Sequence, residues 1–152
     1  MSDAAEGRGS SVLCVDDEPE VLSALRRTFH REPFQVVTAS DAASALASLD
    51  RDRFDVVIAD ERMPVVSGTE LLAEARRRWP WIGSVILTGY PGHEVMRRGL
   101  EARVDFLLSK PWDDEALRRT ISRLIREVER TRSESVDGAG AKPEFDLGGE
   151  SG

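Results

Sequence analysis

Five short apolar runs alternate along this sequence with five stretches of helical periodicity, and each connection between successive runs is too long for a hairpin. Ser11–Val15 reads as a strand, followed by a helix in which Pro19 suits the first turn and Val21, Leu22, Leu25 and Phe29 recur at helical spacing to about His30. Residues 34–38 form a second strand; Ser40 is the expected N-cap of a helix whose apolar face is Ala42, Ala45, Leu46 and Leu49. Residues 54–59 form a third strand, and Leu71, Leu72, Ala75 and Trp79 mark a helix that Pro80 helps to end. Residues 82–87 make a fourth strand. The pattern over 93–102 is the weakest helix, because Gly99 interrupts it and only Val95, Met96 and Leu100 are apolar. Residues 104–108 form the fifth strand. The last helix, 113–132, carries Asp113, Asp114 and Glu115 at the positive end of its dipole and buries a stripe of Leu117, Ile121, Leu124, Ile125 and Val128. Such alternation specifies an α/β fold, a doubly wound five-stranded parallel sheet with helices on both faces, reached through right-handed crossovers.

Composition bounds the rest. The chain has 152 residues, 40% hydrophobic and 32% charged, enough for one domain with a real core. No apolar run approaches the roughly 20 residues of a membrane helix, and the first residues lack the apolar core of a signal peptide, so a cytoplasmic location without membrane contact is expected. Cys14 is the only cysteine and reads as a small buried hydrophobe; it excludes an internal disulfide. The net charge of -7 argues against a nucleic-acid binder. Residues 133–152 hold five acids against Lys142 and only three large apolar residues, Val136, Phe145 and Leu147, so they are expected to form a disordered acidic tail. The expected organisation is a disordered segment over 1–10, one folded domain over 11–132 and the tail over 133–152.

The strand ends carry the chemistry. The first strand runs into Asp16-Asp17, the third into Asp60, the fourth into Thr88 and the fifth into Lys110. In an open α/β sheet ligands bind outside the carboxyl ends of the strands, so these polar groups converge on one edge. Each has an ordinary reading by itself: a capping pair, a turn aspartate, a strand threonine, a surface lysine. Three carboxylates held together repel by several kcal/mol per pair at an effective dielectric of about 20, and a divalent cation with oxygen ligands resolves the repulsion. Magnesium suits the donor set. A carboxylate kept ionised by a metal and an ammonium group can attack phosphorus to form an acyl phosphate, and Lys110 is a compact charge on a long stem suited to phosphoryl oxygens.

With these residues in place, the chain from about Ser11 to Arg132 resembles a receiver domain of the two-component response regulators. The acidic pair follows the first strand, Asp60 is followed by Met63-Pro64 and Gly68, and Thr88 and Lys110-Pro111 stand 28 and 50 residues beyond Asp60. The resemblance implies that Asp60 is the phosphoacceptor and that Asp17, Asp60 and the backbone carbonyl of Arg62 bind Mg²⁺ directly, with Asp16 acting through water. It implies further that Thr88 and Lys110 bind the phosphoryl group, and that the Lys110-Pro111 bond is cis. The partners implied are a sensor histidine kinase or histidine phosphotransfer protein and an output protein, the domain catalysing only its own phosphorylation and dephosphorylation. One position departs from the family: the aromatic expected three residues before the lysine is Leu107, with Phe106 one place earlier. Either a local bulge re-aims Phe106 or the aromatic swing is absent. Arg62 and Tyr90 occupy positions that tune dephosphorylation in the family.

Other readings share the architecture. A haloacid dehalogenase-type phosphatase needs a second acid two residues after the nucleophile, where this chain has Arg62. A flavodoxin-like FMN module cradles phosphate after the first strand, where Asp16, Asp17 and Glu18 would repel it. A phosphorelay intermediate and a phosphorylation-independent interaction module stand as alternatives to a switch. Along the last helix, Leu117, Ile121, Leu124 and Val128 serve either to pack on the sheet or as a homodimer seam. His30 and His93 lie apart from the acids, and Trp79 and Trp81 read as packing residues.

Overall fold

The computed structural model describes residues 9–138. Its five strands form one parallel sheet in the order β2-β1-β3-β4-β5. The strands are β1 (Ser11–Val15), β2 (Gln35–Ala39), β3 (Val56–Ala59), β4 (Gly83–Thr88) and β5 (Phe106–Ser109). Between and after them lie α1 (Pro19–Thr28), α2 (Ala42–Arg51), α3 (Gly68–Arg78), α4 (His93–Ala102) and α5 (Asp114–Gly138). The first crossover places β2 on one side of β1 and the later ones add β3, β4 and β5 in turn on the other, so the switch point lies between β1 and β3.

Two apolar layers sandwich the sheet. On one face Leu25 and Phe29 meet Leu117, Ile121, Leu124, Ile125 and Val128 of α5 over Val12, Cys14, Val56, Ile58, Val85 and Leu87. On the other, Ala42, Ala45 and Leu49 of α2 and Leu71, Leu72 and Ala75 of α3 cover Leu13, Val15, Val57, Ala59 and Ile86. Every residue of β3 and β4 is buried, as expected for central strands of a parallel sheet covered on both sides.

Several boundaries differ from the sequence reading for identifiable reasons. The N-cap of α2 is Asp41, not Ser40; the Asp41 carboxylate accepts a bond from Ser44 N at 2.7 Å. Phe54 and Val104 precede β3 and β5 and pack in the core without joining the ladders as strand residues. α5 continues to Gly138 rather than ending near Arg132, so the first six residues assigned to the acidic tail are helical. No proline or glycine falls between Asp114 and Gly138, and charge alone does not stop a helix already anchored on a core. The remaining tail residues and the first eight lie outside the described residues. The β4-β5 register runs unbroken from Val85-Phe106 to Thr88-Ser109. No bulge re-aims Phe106: it packs with the α1/α5 layer, and Leu107 faces the α4 side.

Candidate functional site

The carboxyl edges of β1 and β3 are adjacent, so the residues that follow them are neighbours. The backbone N–H of Asp16 continues the ladder to Ala39 O at 3.2 Å, and that of Asp60 to Val15 O at 3.0 Å. Both backbones are thus held by the sheet itself. One oxygen of Asp16 accepts from Glu18 N at 2.9 Å, which turns the chain into α1. Asp16, Asp17 and Asp60 each offer a carboxylate oxygen within 4.8 Å of the others.

Lys110 reaches this cluster from β5. Its backbone N–H bonds Thr88 O at 2.9 Å, and the Lys110–Pro111 peptide is cis. The ammonium donates to Asp16 Oδ2 at 2.8 Å and lies 3.3 Å from Asp60 Oδ1. Burial pushes the Asp60 carboxyl above its ordinary value; Lys110 opposes the rise and Asp16 adds to it. Burial pulls the Lys110 ammonium down, but the bond and charge of Asp16, joined by Asp60, leave it above its ordinary value. One ammonium against three carboxylates leaves the cluster short of positive charge. Two unit charges 4.8 Å apart repel by about 3 kcal/mol at an effective dielectric of 20. The donor set, all oxygen and clustered at a strand edge, fits a hard divalent cation.

The loop after Asp60 is packed to close tolerance. A Cβ at Gly68 would collide with the carbonyl oxygen of Asp60 and lie 2.9 Å from its carbonyl carbon, so only glycine lets the start of α3 approach the site this closely. Ser67 and Glu70 form a reciprocal capping box there.

Of the residues expected from sequence, Asp16, Asp17, Asp60 and Lys110 are brought together. Thr88 stands at the end of β4, fully buried, with its Oγ1 accepting from Tyr90 N at 3.2 Å. The Arg62 guanidinium lies over the Tyr90 ring, 4.2 Å from its centroid, so the two loops flanking the cluster meet. Glu61 was not singled out by the sequence reading. It is almost wholly buried, and accepts from Thr69 N at 2.8 Å, Thr69 Oγ1 at 3.0 Å and the Arg98 guanidinium at 3.2 Å. Its one signal was position: an acid directly behind a fully buried strand must either turn outward or find partners.

Comparison with known proteins agrees on one family. The family model described as the response regulator receiver domain matches residues 12–122. The hydrogenase transcriptional regulatory protein HoxA of Cupriavidus necator is 39% identical over 117 residues, 76% of this chain and 24% of that protein. The probable transcriptional regulatory protein TcrX of Mycobacterium tuberculosis is 33% identical over 88% of this chain and 56% of its own length. The chain therefore spans from about a quarter to somewhat over half of these relatives. Among solved structures, the Vibrio cholerae chemotaxis protein CheY4 superposes with a TM-score of 0.71 at 31% identity, covering 76% of this chain and 98% of that one. The response regulator TrrA of Thermotoga maritima, solved in complex with Mg²⁺-BeF, gives 0.69 at 27% identity over the same shares.

Proposed function

Because this chain belongs to the response regulator receiver domain family, a family of phosphorylation-dependent signalling modules, we propose that Asp60 is its phosphoacceptor and that the domain works as a switch read by a protein partner. The observation that carries the proposal is the Lys110 ammonium set between Asp16 and Asp60 at 2.8 and 3.3 Å, at the carboxyl edge of the parallel sheet. A partly buried cation shared by two buried acids is costly to keep for stability alone, and it stands where a phosphoryl group on Asp60 would need charge.

In the proposed reaction an Asp60 carboxylate oxygen attacks the phosphorus of a phosphohistidine on a sensor kinase or histidine phosphotransfer protein. The new O–P bond forms as the P–N bond breaks; the nitrogen keeps that electron pair and the imidazole takes a proton from solvent. Hydrolysis reverses the state, water attacking phosphorus and releasing phosphate and the free carboxylate. Asp16, Asp17, Asp60 and the Arg62 backbone carbonyl would hold Mg²⁺, which supplies positive charge to the transferring oxygens. Lys110 moves from its carboxylate partners to a phosphoryl oxygen, and the Thr88 hydroxyl donates to another. Arg62 stacked on Tyr90 narrows the approach of water and prolongs the phosphorylated state. No helix among the described residues is long and apolar enough to cross a membrane.

The test is intact mass after incubation with Mg²⁺ and acetyl phosphate, wild type beside Asp60→Ala. One added phosphoryl group in the wild type alone is the expected result. The proposal fails if the wild type gains nothing while still binding Mg²⁺, or if the variant gains equally.

A further inference from the structure

α4 is loosely built. Its N-cap is Gly92, which offers no side-chain cap, Gly99 interrupts its interior, and its Met96 and Leu100 side chains are exposed. Its apolar hold on the domain is modest: Val95 is only partly buried against the α2/α3 layer, and the close approach at Gly99 is to Val104 and Leu107. One charged tie reaches inward. The Arg98 guanidinium, itself half exposed, donates to the buried Glu61 carboxylate at 3.2 Å, and its Nε is steadied by Glu94 at 3.1 Å within the same helix.

Glu61 is the residue next to Asp60, and it is fastened by four other hydrogen bonds. Its two carboxylate oxygens accept from the backbone and hydroxyl of Thr69 in the first turn of α3, and its carbonyl accepts from Met63 N at 3.2 Å and Gly68 N at 3.1 Å. The 60–61 backbone and the opening of α3 are tied by the bond from Gly68 N to the Glu61 carbonyl, and are packed so closely that a Cβ at Gly68 would collide with the Asp60 carbonyl oxygen. A displacement of the 60–61 peptide therefore carries the Glu61 carboxylate with it, and that carboxylate is what α4 holds through Arg98. A buried carboxylate cannot simply release its cation, since an unpaired charge in this setting is strongly disfavoured. α4 therefore follows it, and the two ends are coupled.

We propose that Arg98 is a positioning residue that couples α4 to the state of Asp60 through the buried carboxylate of Glu61. The coupling rests on the phosphorylation reading above, and it gives the exposed Met96–Leu100 face two arrangements for a partner to distinguish. The route does not use β5, where Leu107 offers no aromatic ring to swing.

The experiment is hydrogen exchange of peptides covering 93–102, with and without acetyl phosphate in Mg²⁺, on wild type, Arg98→Ala and Arg98→Lys, with intact mass read from the same samples. In the wild type the exchange rate of α4 should differ between the two states by about fivefold or more, the low end of ordinary coupling between sites. Arg98→Ala should gain its phosphoryl group as the wild type does yet lose that difference, and Arg98→Lys should restore part of it. A merely structural role for Arg98 would loosen α4 equally in both states and leave the ratio intact, which overturns the proposal. A phosphorylated wild type whose α4 does not respond overturns it as well. Absence of any mass gain in the wild type would instead strike the phosphorylation reading, and the coupling with it.

Discussion

Aspartates stand at both edges of the sheet, and their surroundings decide what they do. Asp55 and Asp105, before β3 and β5, accept from backbone N–H groups in the first two residues of neighbouring strands, Ser11 of β1 and Ser84 of β4, each at 2.9 Å. These are strand caps. At the opposite edge Asp16 and Asp60 share a lysine, although the other oxygen of Asp16 also accepts from Glu18 N. Cys14 shows the same dependence on surroundings in the apolar layer, where burial pushes its thiol up to about 12 from 9.0. Below pH 9 the thiol is protonated in folded and unfolded chains alike. Above it the unfolded chain releases a proton that the native state retains, so stability falls as pH rises from about 9 toward 12. Cys14→Ala should flatten that alkaline loss, seen as urea midpoints at pH 8 and pH 10.5 that lie closer together than in the wild type. Residue by residue, the acidic cluster and Lys110 were legible because strand ends can be counted from apolar runs. Glu61 and Arg98 were not, since they lie 37 residues apart and their pairing depends on how α4 is laid against the loop.

At the scale of elements, α5 departs furthest from expectation. Its apolar stripe was plain, but its end was read from composition, and the composition of 133–138 resembles a solvated tail. Arg132 explains why the helix is held so late. Its guanidinium lies 3.3 Å from the buried Asp55 carboxylate, reaches Phe54 O at 3.4 Å and stacks over the Trp81 ring at 5.1 Å. Trp81 is a packing residue, as its sequence setting suggested, with the added task of seating this arginine. Arg132→Ala leaves the Asp55 charge without its cation and should cost about 2 kcal/mol in urea unfolding. Amide protection should fall in the last turns of α5 before it falls elsewhere. α4, by contrast, falls over 93–102 as its weak periodicity indicated. Strand boundaries moved by one or two residues because hydrogen-bond registers, not apolar content, fix where a ladder starts.

For the whole molecule, the alternation of strands and helices left little freedom. Five parallel strands with right-handed crossovers and two covered faces place every strand's carboxyl end on one side, so the residues just past them form one site whatever the loops do. That is why fold and cluster could be read together from sequence, while α4's attachment and the true length of α5 depended on tertiary contacts. In the proposed switch Asp60 alone of the three clustered carboxylates accepts phosphorus. Acyl phosphates are reduced by borohydride, which converts a phosphorylated aspartate to homoserine. Peptide mapping after acetyl phosphate, Mg²⁺ and borohydride should find homoserine at position 60 and unmodified aspartate at 16 and 17. Homoserine at 16 or 17, or at none of the three in protein that has gained phosphoryl mass, would contradict it.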